Sequence, residues 1–133
     1  MYILQKQSKE LWETEFRKLL QGDSPDIEAI NRHLYDELDV DYLNQTVMPI
    51  ILQQFEQHVY TLEKICKIVE ILVERGININ CEDRIGRNAL LILCESYGNE
   101  DLFEIVRLLV KKGIDVNCKT NDGRNALLVL CDS

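Results

Sequence analysis

The second half of this chain is written twice, and that constrains its fold more than any other feature. IVEILVERGININCEDRIGRNALLILCES begins at Ile68, and IVRLLVKKGIDVNCKTNDGRNALLVLCDS begins at Ile105. Gly76 recurs as Gly113, Asn80 as Asn117, Cys81 as Cys118, Gly86 as Gly123, Ala89 as Ala126 and Cys94 as Cys131, each 37 residues on. A fixed period of roughly 20–50 residues marks a solenoid, in which each unit buries its apolar face against its neighbours.

One unit can be read physically. Ile68, Val69, Leu72 and Val73 make an apolar stripe at helical spacing, repeated by Ile105, Val106, Leu109 and Val110. Arg75, and Lys111 with Lys112, fall in the last turn, where cations suit the helix dipole. Gly76 and Gly113 follow as left-handed helix stops. A short extended stretch and a turn lead to Gly86 and Gly123. Asn88 and Asn125 then stand as N-caps for the runs ALLILC and ALLVLC, helices with little polar surface. The unit is a helix, a glycine stop, a projecting turn and a second helix.

These residues resemble the ankyrin-repeat family. Gly86-Arg87-Asn88-Ala89-Leu90-Leu91-Ile92-Leu93-Cys94 is similar to the first half of that repeat, and Leu108-Leu109-Val110-Lys111-Lys112-Gly113-Ile114-Asp115-Val116-Asn117-Cys118 to the second. There are departures. Asn88-Ala89 and Asn125-Ala126 replace the family's Thr-Pro, Leu91 and Leu128 replace its His, and the period exceeds the usual length of about 33. The extra residues lie in 97–103. The resemblance implies an all-α solenoid of stacked antiparallel helix pairs with projecting turns.

Upstream the signal weakens. Leu11, Trp12, Phe16, Leu19 and Leu20 form a helical face, and Ile27, Ile30, Leu34 and Leu38 another, with a break at Gly22-Asp23-Ser24-Pro25. Ser24 reads as an N-cap with Pro25 at the first helical position, and Trp12 reads as core of the cap. Residues 1–41 are expected to be a degenerate N-terminal repeat or cap, 42–80 a divergent repeat, 81–117 an ankyrin repeat and 118–133 a partial one. In the divergent unit, Val47 to Leu52 align with Arg87 to Ile92, which places Pro49 at the start of a helix that extends toward residue 64. The partial unit predicts an open end at residues 126–131, frayed or self-associating.

Net charge is −8, unfavourable for a nucleic-acid backbone. Residues 1–62 carry 11 acidic and 5 basic side chains, an excess fit either for solvation or for steering a basic partner. No apolar run reaches the 18 residues of a membrane span, and Met1 to Lys9 lack the apolar core of a secretory signal. Five cysteines without C-x-x-C spacing point to a reducing compartment, cytoplasm or nucleus. By the family resemblance Cys81, Cys94, Cys118 and Cys131 stand where ankyrin repeats usually have a small alanine; all five thiols are expected to be reduced, Cys81, Cys94 and Cys118 mostly buried, and Cys66 packs in a helix. His33 and His58 have no partners at ligand spacing, so no metal is expected. No nucleophile elbow, zinc-protease helix or phosphate-binding glycine loop occurs, and neither an enzyme activity nor a cofactor is expected.

The resemblance implies a protein-binding module, adaptor or scaffold, that meets its protein partner with turns and first-helix ends. The positions are Arg84, Ile85, Arg87, Glu95 and Ser96 in one unit, Asn121, Asp122 and Arg124 in the next, and Asn44, Gln45 and Val47 in the divergent unit. Arg87 and Arg124 either grip acidic groups of the partner or pair with Asp83 and Asp122. Two further readings stay open: a regulatory or targeting piece of a larger protein, and a stand-alone inhibitor or effector of a host protein.

Overall fold

The computed structural model describes residues 2–21, 25–57, 60–96 and 102–125. Six helices follow in order: α1 (Tyr2–Leu20), α2 (Ile27–Asp36), α3 (Val40–Gln57), α4 (Leu62–Glu74), α5 (Ala89–Ser96) and α6 (Phe103–Lys111). Among the described residues there is no strand. Helix α3 lies between α1 and α5, and α4 lies between α2 and α6. The first helices of each pair therefore form one layer and the second helices another, an all-α solenoid.

The repeated half folds as its pattern demands. Helix α4 stops at Gly76, whose φ is +88°, and the two bonds of a Schellman motif close it: Gly76 N–H to Val73 O at 3.0 Å and Ile77 N–H to Leu72 O at 3.0 Å. Helix α6 stops identically at Gly113, with Ile114 N–H to Leu109 O at 2.9 Å. In both stops the apolar pair that joins the ends, Leu72 with Ile77 and Leu109 with Ile114, is buried. Asn88 caps α5 by accepting from Leu91 N–H at 3.1 Å, and its Nδ2 donates to Asp115 O of the next unit at 2.9 Å. All six residues from Ala89 to Cys94 are buried, so α5 is the centre of the core.

Arg75 acts on a different helix from the one it ends. Its guanidinium donates to Leu34 O and Glu37 O, at 3.2 and 2.8 Å, at the C-terminus of α2, and lies over the Tyr35 ring. Those carbonyls are the ones α2 leaves without partners. Each unit is therefore tied to the one before it by side chain to backbone as well as by packing.

The N-terminal half departs from the expected unit boundaries. Helix α1 starts at Tyr2 and α2 ends at Asp36, while the boundary placed at 41/42 falls inside α3. Helix α3 starts at Val40, capped by Asp39, whose Oδ1 accepts from Tyr42 N–H at 3.1 Å. Pro49 therefore sits inside α3 rather than at its start, and lacks the N–H that would have bonded back to Gln45. The reason is the absence of glycine between Gly22 and Gly76. A projecting turn needs a left-handed residue, and without one the chain continues as helix.

The cap of α2 is Asp26, accepting from Ala29 N–H at 3.2 Å, with Pro25 just before the helix. Ser24, expected as the cap, lies outside the described residues. So do residues 97–101 of the inter-helix insertion, His58, Cys131 and the expected open end at 126–131. Trp12 is buried, 7% exposed, as cap core: it stacks on His33 with centroids 4.6 Å apart. Each ring nitrogen bonds the other residue's carbonyl: Trp12 Nε1–H donates to His33 O at 3.0 Å, and His33 Nε2 lies 2.9 Å from Trp12 O.

Candidate functional site

The two projecting turns are built alike. In the first, Asp83 N–H donates to Arg87 O at 2.9 Å and Gly86 N–H donates to Asp83 O at 3.1 Å. In the second, Thr120 N–H donates to Arg124 O at 2.8 Å and Gly123 N–H donates to Thr120 O at 2.9 Å. The side chain at the start closes each turn from within: Asp83 Oδ1 accepts from Arg87 N–H and Thr120 Oγ1 accepts from Arg124 N–H. The turns also hold one another, since Asn121 N–H donates to Ile85 O at 2.8 Å and Asn121 Nδ2 donates to Arg84 O at 3.1 Å. Below them Asn80 bridges to the following unit, with Nδ2 donating to Gly113 O at 3.0 Å and Oδ1 accepting from Asp115 N–H at 2.7 Å.

Gly86 is required twice over. Its φ is +87°, and a Cβ there would lie 2.9 Å from Asn121 Oδ1 and 3.1 Å from Lys119 O. Gly123 shares the conformation, yet among the described residues a Cβ there meets nothing within 4 Å.

Arg87 stands at the floor of this surface, 9% exposed. Nε lies 2.9 Å from Asp83 Oδ2, Nη1 2.6 Å from Glu95 Oε2 and Nη2 2.9 Å from Glu56 Oε1. The three carboxylates come from the turn, from α5 and from the end of α3 in the preceding unit. Burial works against the charged guanidinium, but the hydrogen bonds to Glu56, Glu95 and Asp83 outweigh it and raise its pKa, so it is a permanent cation. Its planar fork is what lets one side chain serve three acceptors.

Two clefts flank Ile85. The larger, about 630 Å³, lies between the outer face of α3 (Pro49, Leu52, Gln53, Glu56, Gln57) and the first turn (Glu82 to Ile85, with Arg87). The smaller, about 250 Å³, lies between Ile85 with Glu95 and the second turn (Thr120, Asn121, Asp122, Arg124). Ile85 is the shared wall and is 50% exposed. Asp122 accepts from the Thr120 hydroxyl; that bond, with Arg124 nearby, holds its carboxyl below the usual range.

Most of the positions expected from the sequence fall on this surface, and three need correcting. Arg84, Ile85, Glu95, Asn121, Asp122 and Arg124 line the clefts. Arg87 lines the larger cleft too, but all three of its nitrogens are engaged, so it organises the site and is not a hand held out to an acidic partner. Val47 is 0% exposed inside α3. Asn44 is half-buried, donating to Val40 O at 3.2 Å and accepting from Asn78 N–H at 2.9 Å, so its amide is a structural latch. Both corrections follow from α3 starting early, which turns the expected projecting turn into helix. Gln45 is exposed on α3, and Ser96 is exposed at the end of α5 but lines neither cleft.

Pro49, Leu52, Gln53, Glu56, Gln57, Glu82 and Thr120 were missed as surface-forming residues, and Asp83 was foreseen only as a pair for Arg87. Asp83 carried a legible signal: a carboxylate four residues before an arginine, across a glycine turn.

Four of the thiols lie within the described residues. Cys94 is buried and pushed up to about 11 by that burial and by Glu95. Cys118 is buried, with its thiol donating to Gly86 O at 3.2 Å. Cys81, expected to be buried, is half-buried because it sits beside the exposed turn. Cys66, Cys81, Cys94 and Cys118 are free. Among the described residues no group of three His, Cys, Asp or Glu side chains is placed to hold a metal ion.

No curated protein matches the chain. A family model described as Ankyrin repeats (3 copies) matches residues 58–133. That stretch holds both glycine stops and both projecting turns, and it covers more than half of the sequence. The chain belongs to the ankyrin-repeat family.

Proposed function

We propose that this protein is a non-catalytic adaptor or scaffold that binds a protein partner along the surface formed by α3, α5 and the turns at 82–87 and 119–124. Ankyrin repeats are in general protein–protein interaction modules. The observation that carries the reading is the pair of clefts in line on either side of Ile85. They are walled by elements of successive units and held rigid by Arg87, Asn121 and Asn80. A pre-ordered surface loses little conformational freedom on binding. Among the described residues no helix is long and apolar enough to cross a membrane. Free thiols at four positions support a reducing compartment, cytoplasm or nucleus.

The test places a photo-crosslinking amino acid at Ile85, and at Lys67 on the exposed face of α4 as control. Protein adducts at position 85, absent at 67 and lost when Arg84→Glu and Asn121→Ala are added, support the reading. Equal adducts at both positions, or none at 85, overturn it.

A further inference from the structure

We infer that the segment this surface takes is a linear stretch of a protein with a lysine or arginine next to an apolar residue, the apolar side chain seated on Ile85 and the cation in the larger cleft. This rests on the interaction-module reading and adds the chemistry of the partner.

The sign of charge carries it. The guanidinium of Arg87 is spent on Asp83, Glu95 and Glu56, three carboxylates against one cation. Over both clefts, Glu56, Glu82, Asp83, Glu95 and Asp122 face Arg84, Arg87 and Arg124, an excess of two negative charges. That excess lies on the surface proposed for docking. Glu56 keeps 52% of its side-chain surface in solvent while paired, and Glu82 is exposed. A cation entering the larger cleft is drawn to both, and the low-dielectric walls of Pro49 and Leu52 strengthen the attraction. An acidic side chain meets the opposite field.

The apolar requirement comes from Ile85. It is held at the crest between the clefts by Ile85 N–H donating to Asp83 Oδ1 at 3.1 Å and by Asn121 N–H donating to its carbonyl at 2.8 Å, yet it is half exposed. A large aliphatic fixed in water on a rigid turn gains by being covered. The larger cleft, about 630 Å³, is within the range of sites that enclose a side chain with its neighbours.

The experiment titrates the full chain by fluorescence anisotropy into three degenerate decapeptide pools sharing a central leucine. Their fixed neighbouring residue is arginine, alanine or glutamate. The arginine pool is expected to bind at least about tenfold more tightly than the glutamate pool at low salt, and the gap to shrink at higher salt. Glu82→Gln and, separately, Gln53→Lys should each reduce the gap by about threefold or more, while Ile85→Asp weakens every pool. Both charge variants alter exposed positions, and circular dichroism checks their fold. Equal binding of the pools, or preference for glutamate, overturns the inference and leaves the module reading standing. So does binding of no pool while crosslinking at position 85 persists. Loss of both sinks both.

Discussion

The turns at 82–87 and 119–124 share one backbone bonding pattern, with a glycine and an arginine at the same spacing, and do different work. Gly86 and Gly123 share a left-handed backbone, but only Gly86 has the neighbouring turn pressed against the place where a Cβ would stand. Arg87 reaches back to Glu56 of the preceding unit and forward to Glu95 of its own, whereas Arg124 lies near Asp122 and remains half-exposed. Asn80 bridges Gly113 and Asp115 of the next unit, while Asn117 is exposed, with its backbone N–H donating to Asp115 Oδ1 at 2.9 Å. In a stack a residue's role is set by the units on both sides of it. Periodicity in sequence is therefore no guarantee of periodicity in energy.

The largest break in the comparison comes from the arginines. Arg87→Ala leaves three carboxylates facing one another, at an expected loss of about 2–3 kcal/mol, below the range for a fully buried pair because the carboxylates keep part of their hydration. Arg124→Ala is expected within about 1 kcal/mol. Urea unfolding of both variants decides this, and equal losses would mean the turns are equivalent after all. Arg87→Lys should also destabilise, since one ammonium cannot reproduce the three-way fork.

Next are the glycines. Gly123→Ala is expected to cost about 1 kcal/mol for its left-handed backbone, and Gly86→Ala about 2 kcal/mol, because its Cβ would also displace the Asn121 side-chain oxygen and crowd the backbone of Lys119 and Asn121. The difference between the two melting temperatures reads the contact between turns directly. A smaller gap separates the asparagines. Asn80→Ala loses two bonds to the next unit, about 1 kcal/mol in this exposed setting, while Asn117→Ala should fall within about 0.5 kcal/mol. A loss at Asn117 as large as at Asn80 would show that another segment takes its latch.

The finest effect concerns the thiols. With its pKa near 11, Cys94 has about one thiolate in a thousand at pH 8, so alkylation there should lag well behind Cys81 and catch up on unfolding. The raised value also fixes a pH dependence. The unfolded thiol ionises first, near pH 8.5, so the contribution of Cys94 to stability is complete below that pH and is lost as pH climbs toward 11. Unfolding midpoints at pH 7, 9 and 10.5 for the chain and for Cys94→Ala check the sign.

Much of this architecture was legible before any coordinates. The 37-residue period, the glycine stops, the Asn88 cap and the two projecting turns all depend on interactions within a few residues of one another, which a local pattern can encode. The glycine-free stretch from 23 to 75 holds the reason that the N-terminal half has no such turn, but alignment with the later repeat set the expected helix start at Pro49, where the structure has Val40. What the sequence could not decide was which charges meet. Arg87 and Arg124 look alike on paper. Only stacking brings Glu56, 31 positions upstream, against the first of them. That contact, with the Asp83 pairing that was one of the two readings open from the sequence, makes Arg87 the buried centre of an acid-rich groove. Local backbone geometry is set by neighbours in the chain, and electrostatic sign by neighbours in space.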